Sequence, residues 1–297
     1  MPGGLSRPLP IEVEELLSWL AVEKGRSPNT LAAYRRDLAA YERFLSSRGL
    51  TVGQATELDV AAYLASMEAA GRRPASVARA LVALRSLHRW CGSDAARSVD
   101  RPEPVTADPA VLTEAEAAAL VEAVAGSAAT ARRDRALLEL LYATGARISE
   151  AVGLAVGDVE GGLARLGGRN LRLVPYGGPA ADAVASLVAT RSVVTARAGE
   201  DVPLFVNQRG GRLSRQWGWS VVRTAGERAG LAGRLGPHVL RHSFGVHLTA
   251  GGAPPGAVQQ LLVGSPAVLP IEDLVEGYRR WHPRSGEQRA PVASGSQ

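Results

Sequence analysis

The sequence predicts a mainly helical protein of two domains with a small amount of antiparallel sheet. A chain of 297 residues, 46% of them hydrophobic, is long enough to bury two separate cores. Apolar residues recur at steps of three and four through most of the chain, which is the period of an amphipathic helix. Two stretches in the second half alternate instead around paired glycines, as β-hairpins do.

A bundle of helices is predicted for residues 8–96. Ser27 and Pro28 form a helix start, because serine caps a first turn and proline tolerates the first helical position. This helix closes near Gly49, and its apolar face consists of Leu31, Tyr34, Leu38, Tyr41 and Leu45. Similar spacing predicts three more helices, within residues 11–21, 60–67 and 77–90.

A second domain is predicted for residues 111–284. A proline-rich stretch without periodicity precedes it and predicts a linker at 97–110, and a disordered tail is predicted for 285–297. Thr113 and Glu116 form a capping box at the start of its first helix. A later leucine-rich helix is predicted from Arg135 to Thr144 and ends at Gly145. The two predicted hairpins lie at residues 163–174 and 204–213.

The charge of the chain favours an anionic partner. The formal net charge is +5 and the isoelectric point is about 9.8. Residues 165–241 hold twelve arginines but only four acidic residues, which makes this stretch a candidate phosphate-facing surface. Lys24 is the single lysine, so the same bias toward arginine also fits a GC-rich genome, and both explanations stay open.

Several classes of protein are excluded by what the sequence lacks. Glu12 and its acidic neighbours stand where a signal peptide is cationic, and no run of apolar residues is long enough to span a membrane. Cys91 is the single cysteine, so neither an intramolecular disulfide nor a zinc site of paired cysteines is possible. No cluster of metal ligands is visible in the sequence, and we expect a cytoplasmic protein that has no membrane partner.

Six strings in one order along the chain resemble the Xer-type tyrosine recombinases of the phage integrase family. In the second domain they are Ala-Thr-Gly-Ala-Arg-Ile-Ser-Glu at 143–150, Leu-Val-Pro at 173–175, Leu-Phe-Val-Asn-Gln-Arg-Gly-Gly at 204–211, Pro-His-Val-Leu-Arg-His-Ser-Phe at 237–244 and Trp-His-Pro-Arg at 281–284. The sixth is Ser-Pro-Asn-Thr at 27–30, so the resemblance covers nearly the whole chain.

The resemblance implies a SAM-like, core-binding N-terminal bundle and a catalytic domain that together close around double-stranded DNA as a C-shaped clamp. In this family a tyrosine hydroxyl attacks a DNA phosphate, which leaves a 3′-phosphotyrosyl link and a free 5′-hydroxyl. Reversal of this reaction onto a different strand exchanges the two strands. The resemblance implies that the reaction needs neither a metal nor a nucleotide cofactor. The family assembles as a tetramer on paired sites, so further copies or other Xer-type recombinases are the implied partners, and its last helix docks on a neighbouring subunit.

The resemblance also assigns catalytic residues. Arg147 and Arg241 match the family's arginine pair, and His238 matches the histidine that assists proton transfer. Phosphoryl transfer builds charge on the non-bridging oxygens, which the planar, always protonated guanidinium is suited to bind. Considered without the family match, Arg147 would be interpreted as a partner of Glu150 or as a cap of the helix end. His238 would likewise be interpreted as a cap or core residue.

Six further arginines are candidate DNA contacts. They are Arg79, Arg85, Arg89, Arg169, Arg172 and Arg215. For the first three, which lie on the last helix of the bundle, a solvated helix face is the alternative explanation.

The sequence departs from the family at three catalytic positions. Gly167 stands where the family has a lysine, and Arg169 nearby is a poor general acid because guanidinium holds its proton too strongly. The residues from Val263 onward follow Leu-Leu at 261–262 where the family has Gly-His, so its second histidine is missing. The segment that carries the nucleophilic tyrosine is deleted. Tyr278 is the remaining tyrosine of the C-terminal region, but its context matches the family's last helix.

Three hypotheses therefore stay open. The chain is an active recombinase that uses Tyr278, a catalytically silent homologue that retains DNA binding, or a decayed gene product that acts as a protein-interaction module at most. A covalent protein–DNA adduct, salt-sensitive binding without an adduct, and no DNA affinity at low salt are the respective expectations.

Overall fold

Helices account for most of the chain in the computed structural model, and one three-stranded antiparallel sheet accompanies them, which confirms the predicted fold class. The chain divides into two compact units, Met1–Ala107 and Asp108–Gln297. The structure describes residues 9–100, 110–125, 128–167, 171–190, 202–233, 235–264 and 269–286. Most of the predicted linker, the candidate DNA contact Arg169 and the tail beyond residue 286 lie outside these ranges.

Within residues 9–100, the first unit is a bundle of four α-helices. They are α1 (Ile11–Val22), α2 (Pro28–Ser46), α3 (Glu57–Ala69) and α4 (Pro74–Trp90). Ser27 caps α2 as predicted, because its hydroxyl accepts a hydrogen bond from the Thr30 backbone N–H at 3.2 Å. Leu38, Tyr41 and Leu84 are fully buried, so the apolar stripes of the helices meet in one core.

The second unit is built around one central helix, α6. Its helices are α5 (Glu114–Glu122), α6 (Ala129–Thr144), α7 (Ile148–Ala151), α8 (Pro179–Ala189), α9 (Arg215–Arg228), α10 (Pro237–Ala250), α11 (Pro255–Val263) and α12 (Ile271–Trp281). The predicted capping box opens α5, since Thr113 and Glu116 exchange side chain to backbone hydrogen bonds. Gly145 ends α6 in the left-handed conformation, with φ of 58°.

The sheet consists of three short strands, β1 (Val159–Glu160), β2 (Leu163–Leu166) and β3 (Arg172–Pro175). Strands β2 and β3 pair antiparallel, with Arg165 opposite Leu173, which confirms the first predicted hairpin. The second predicted hairpin forms a single antiparallel bridge, between Val206 and Arg212, and its described residues extend this bridge into no strand. The polypeptide therefore turns there as predicted without extending the sheet.

The C-terminal helix α12 packs on its own chain. It lies against α10 and β3, where Leu274 and Tyr278 are buried. His282, which follows the helix, is fully buried among the rings of Tyr142, Phe244 and Tyr278. No helix within the described ranges is both long and apolar enough to cross a membrane.

Candidate active site

Arg147 lies at the junction of α6 and α7 and is paired with Glu150. The backbone N–H of Arg147 donates to Glu150 Oε2 at 2.7 Å, and its Nη1 donates to Glu150 Oε1 at 3.0 Å. The Arg147 side chain nevertheless remains 53% exposed. The pairing considered from the sequence therefore exists, and it holds the guanidinium at the surface, where an anion can reach it.

Arg172 occupies an interior position, contrary to the expectation that it faces DNA. It projects from β3 and is 4% exposed, with Nη1 and Nη2 each 2.9 Å from a carboxylate oxygen of Glu150. Its Nε donates to the backbone carbonyl of Leu261 at 2.8 Å. These three bonds keep Arg172 in the interior, where it holds Glu150 and the end of α11 in place.

Arg241 also holds backbone groups together. Its Nη1 donates to the Gly145 carbonyl and its Nη2 to the Leu262 carbonyl, both at 2.6 Å. The side chain of α10 thus joins the end of α6 to the end of α11. Each terminal nitrogen of arginine carries a second hydrogen, so these two bonds leave donors for a phosphate oxygen.

Positive charge exceeds negative charge in this cluster, which consists of Arg147, Arg172, Arg241 and Glu150. The pKa of Arg241 falls well below its ordinary value, to about 10, first because the group is desolvated and then because the other two arginines repel its charge. Burial alone would raise the pKa of Glu150. The hydrogen bonds from Arg172 and from the Arg147 backbone outweigh burial and bring this pKa to about 2. An incoming anion would relieve the remaining repulsion.

A cavity of about 740 Å³, called the main cavity below, contains three of the predicted catalytic residues. Its lining consists of Arg147, Ile148, Arg215, Gln216, Trp219, Pro237, His238 and Arg241. The first turn of α10 supplies His238, which is exposed to solvent. The predicted DNA contact Arg215 also lines the cavity, so four of the predicted site residues share one place. Tyr278 is not among the residues that line it.

The three tyrosines of the second unit are all buried. The Tyr142 hydroxyl lies 2.7 Å from His247 Nδ1, and the Tyr176 hydroxyl donates to the Val159 carbonyl at 3.0 Å. Tyr278 is 2% exposed and stacks on His282 with ring centroids 4.9 Å apart. Burial raises the pKa of Tyr278 well above its ordinary value, and its hydroxyl has no hydrogen-bond partner among the described residues.

The two other positions at which the sequence departs from the family are occupied by backbone turns. Gly167 ends β2 with φ of 104°, a conformation that favours glycine over lysine. Val263 is the last residue of α11, and Gly264 follows it in the left-handed conformation. Neither position carries a group that donates a proton.

The three candidate arginines of the first unit differ in their surroundings. Arg79 forms a two-bond ion pair with Asp37, at 2.8 and 3.1 Å. Arg85 donates to two backbone carbonyls, those of Ala96 and Val99, while Arg89 is exposed. Arg85 and Arg89 line a second cavity, of about 450 Å³, together with Asp94 and Arg97.

Two residues were not predicted from the sequence as site residues: Glu150, which binds arginines of the site, and Trp219, which lines the main cavity. Glu150 holds both Arg147 and Arg172, and its signal was present in the three-residue spacing from Arg147 to Glu150 that is typical of a helix start. Trp219 lies four residues after Arg215, which places both side chains on one face of α9.

Comparisons with known proteins identify the family of the chain. Residues 13–93 match the description "Phage integrase, N-terminal SAM-like domain", and residues 110–263 match "Phage integrase family". "Tyrosine recombinase XerD" of Mycobacterium tuberculosis is 42% identical over 277 residues, which cover 86% of this chain and 89% of that protein. The second family match ends at the last residue of α11.

Solved structures share the fold at low sequence identity. The XerH site-specific recombinase bound to its difH substrate is 21% identical with a TM-score of 0.64, and the match covers 90% of this chain and 82% of that one. A lambda integrase tetramer bound to a Holliday junction is 18% identical with a TM-score of 0.66, covering 91% and 77%. The chain therefore belongs to the phage integrase family, as a member of its Xer-type tyrosine recombinases.

Proposed function

We propose that this chain binds double-stranded DNA through the cavity of Arg147, His238 and Arg241 but does not carry out the strand cleavage of its family. The observation that carries the proposal is the burial of all three tyrosines of the second unit. Phosphate-binding groups are retained at the surface, whereas the nucleophile that they would serve is inaccessible.

The charge of the cavity supports DNA as the ligand. Arg147 and Arg215 line it with exposed or half-exposed side chains, and Arg241 is held beside them. Guanidinium groups bind phosphate through two parallel hydrogen bonds, and neutralising a DNA phosphate releases its counterions. The solved XerH and lambda integrase structures are described as bound to DNA, which adds to this support.

The chemistry of a phenol supports the absence of cleavage. A tyrosine attacks a phosphorus atom only when its oxygen reaches that atom and a nearby group accepts its proton. The hydroxyls of Tyr142 and Tyr176 are engaged elsewhere, and α12 would have to leave its place on α10 and β3 before Tyr278 could reach the solvent. Gly167 supplies no proton for a departing 5′-oxygen.

Assembly with other recombinases on paired sites remains part of the proposal. A tetramer is the described form of the lambda integrase structure, and a silent subunit beside active ones would still contribute DNA binding. The single cysteine and a DNA ligand both fit a cytoplasmic protein. Because α12 packs on its own chain through Leu274 and Tyr278, contacts between subunits would use its exposed face or other surfaces, or would displace this helix.

The test is a search for a covalent adduct alongside a measurement of binding. The full chain is incubated with a pool of nicked DNA fragments, since a nick lets the cleaved strand diffuse away and traps any adduct on a denaturing gel. We expect no adduct but clear binding on native gels. The Mycobacterium tuberculosis relative, run on the same pool, checks that the pool contains cleavable sites. An adduct that disappears in Tyr278→Phe would overturn the proposal.

Binding itself should depend on Arg147. We expect Arg147→Ala to weaken DNA affinity by about tenfold or more, because a charge-assisted hydrogen bond contributes about 1.5–3 kcal/mol. The slope of the logarithm of affinity against the logarithm of salt concentration should fall by about one. Arg280→Ala is the matched control, an exposed arginine outside the cavity that also pairs with a glutamate of its own helix. Equal losses in both variants would place the DNA elsewhere.

A further inference from the structure

The walls of the main cavity differ in chemistry. Arginines and His238 form one part, while Ile148, Trp219 and Pro237 form an apolar part. A phosphate group interacts with the first part alone. A cavity of about 740 Å³ is also larger than a single phosphate requires, so a second portion of the ligand faces the apolar wall. In a nucleic acid, the groups with flat apolar faces are the bases.

Trp219 is held at this wall by a close approach of two helices. A Cβ atom added to Gly218 would lie 2.9 Å from Ile148 Cδ1 and 3.0 Å from Val152 Cγ1, so α9 contacts the start of α7 directly at this glycine. Arg147 immediately precedes α7, which brings the adjacent Trp219 to the phosphate-binding arginines. Its side chain is nevertheless 43% exposed, so part of the ring is accessible to a ligand in the cavity.

We propose that Trp219 stacks on a nucleobase that has left the double helix, next to the phosphate held by Arg147 and Arg241. Every base in an intact duplex has both faces covered by its neighbours, so a ring inside a protein cavity can stack only on an unpaired or displaced base. The ligand class is therefore DNA with an unstacked nucleotide, such as a bulge or a gap. This inference rests on the proposed function, because it assumes that the cavity binds DNA.

The experiment compares the affinity of the full chain for three DNAs of mixed sequence. One is an intact duplex, the second carries one unpaired nucleotide, and the third carries an abasic residue in place of that nucleotide. We expect the second to bind about 5- to 150-fold more tightly than the first, the range that base–aromatic stacking spans. The abasic DNA should lose most of this advantage while its phosphates remain.

Two tryptophan variants separate the cavity from the helix surface. The ratio to compare is the affinity for DNA with the unpaired nucleotide divided by the affinity for the intact duplex. Trp219→Leu should reduce this ratio to about one, whereas Trp217→Leu should keep it. Trp217 is 49% exposed on the same helix but does not line the cavity. Three outcomes would overturn this inference and leave the proposed function standing. They are a ratio near one in the unaltered chain, a high ratio that persists in Trp219→Leu, and a high affinity that persists with the abasic DNA. Failure to bind any of the three DNAs at low salt would overturn the proposed function as well.

Discussion

Replacing Glu150 by glutamine should destabilise the second unit by about 3–5 kcal/mol, the range for removing one member of a buried ion pair. Arg172 is 4% exposed and would keep its positive charge without the carboxylate that now binds both ends of its fork. Glutamine keeps one acceptor oxygen in place of two, so Arg147 and Arg172 would compete for it. Urea unfolding of the full chain measures the change, and hydrogen exchange in β3 and α7 would locate it to the second unit.

The control is Glu227→Gln on α9. Glu227 also pairs with an arginine, Arg223, but both side chains are more than half exposed, and such pairs contribute about 0–1 kcal/mol. We expect this variant to unfold at nearly the same urea concentration as the unaltered chain. Similar losses in the two variants would mean that the ion pair of Glu150 and Arg172 behaves like a surface pair.

The effect of Glu150 should also depend on pH in a defined direction. Its folded-state pKa of about 2 lies below the ordinary value of 4.5, so its contribution to stability is complete above about pH 4.5. As the pH falls toward about 2 the carboxylate takes up a proton and this contribution is lost. The stability difference between the unaltered chain and Glu150→Gln should therefore shrink over that range, and a constant difference would contradict the assigned pKa.

Replacing Tyr278 by alanine should cost about 3–5 kcal/mol, as for other large aromatic side chains removed from a core. The ring fills the interface of α12 with α10 and stacks on His282. Tyr278→Phe, in contrast, keeps the ring and removes a buried hydroxyl that has no partner among the described residues. We expect this variant to be as stable as the unaltered chain or more stable by about 1 kcal/mol.

Comparison of the two Tyr278 variants separates a packing role from a chemical one. A core residue gives a large loss for alanine and none for phenylalanine, in unfolding experiments that require no DNA. If Tyr278→Phe were destabilised by several kcal/mol, the hydroxyl would be bonded in solution, and the position of α12 would differ from the one described.

Local sequence signals predicted much of the fold because they act within a few residues. The cap at Ser27 and the capping box of Thr113 and Glu116 both place helix starts correctly. Gly145 likewise marks a helix end. The start of α6 lacks such a signal, since Ala128 offers no side-chain cap, and the helix extends six residues before the predicted Arg135. Strand β1 is only two residues long, too short to give an alternating pattern.

The candidate site was predictable in its residues but not in their surroundings. Family strings identified Arg147, His238 and Arg241, and these line one cavity. No string distinguishes an arginine that faces solvent from one that faces the interior, and Arg172 was misplaced for that reason. Its burial depends on Glu150 and on the carbonyl of Leu261, a residue 89 positions away in sequence. Contacts of such range follow from the packing of α11 on β3.

A contact between α11 and the backbone just before α12 affects how well this chain tolerates changes in length. The side chain of Gln260 donates to the carbonyl of Leu269 and accepts from its N–H, at 2.9 and 3.0 Å. A residue of α11 is thus hydrogen-bonded to the backbone just before α12. Lengthening a connection between two fixed ends costs little, about 0.6 kcal/mol for each doubling. Evolution can therefore insert or delete residues between these anchors while the rest of the domain stays folded, which makes this connection a natural place for a recombinase to gain or lose a catalytic segment.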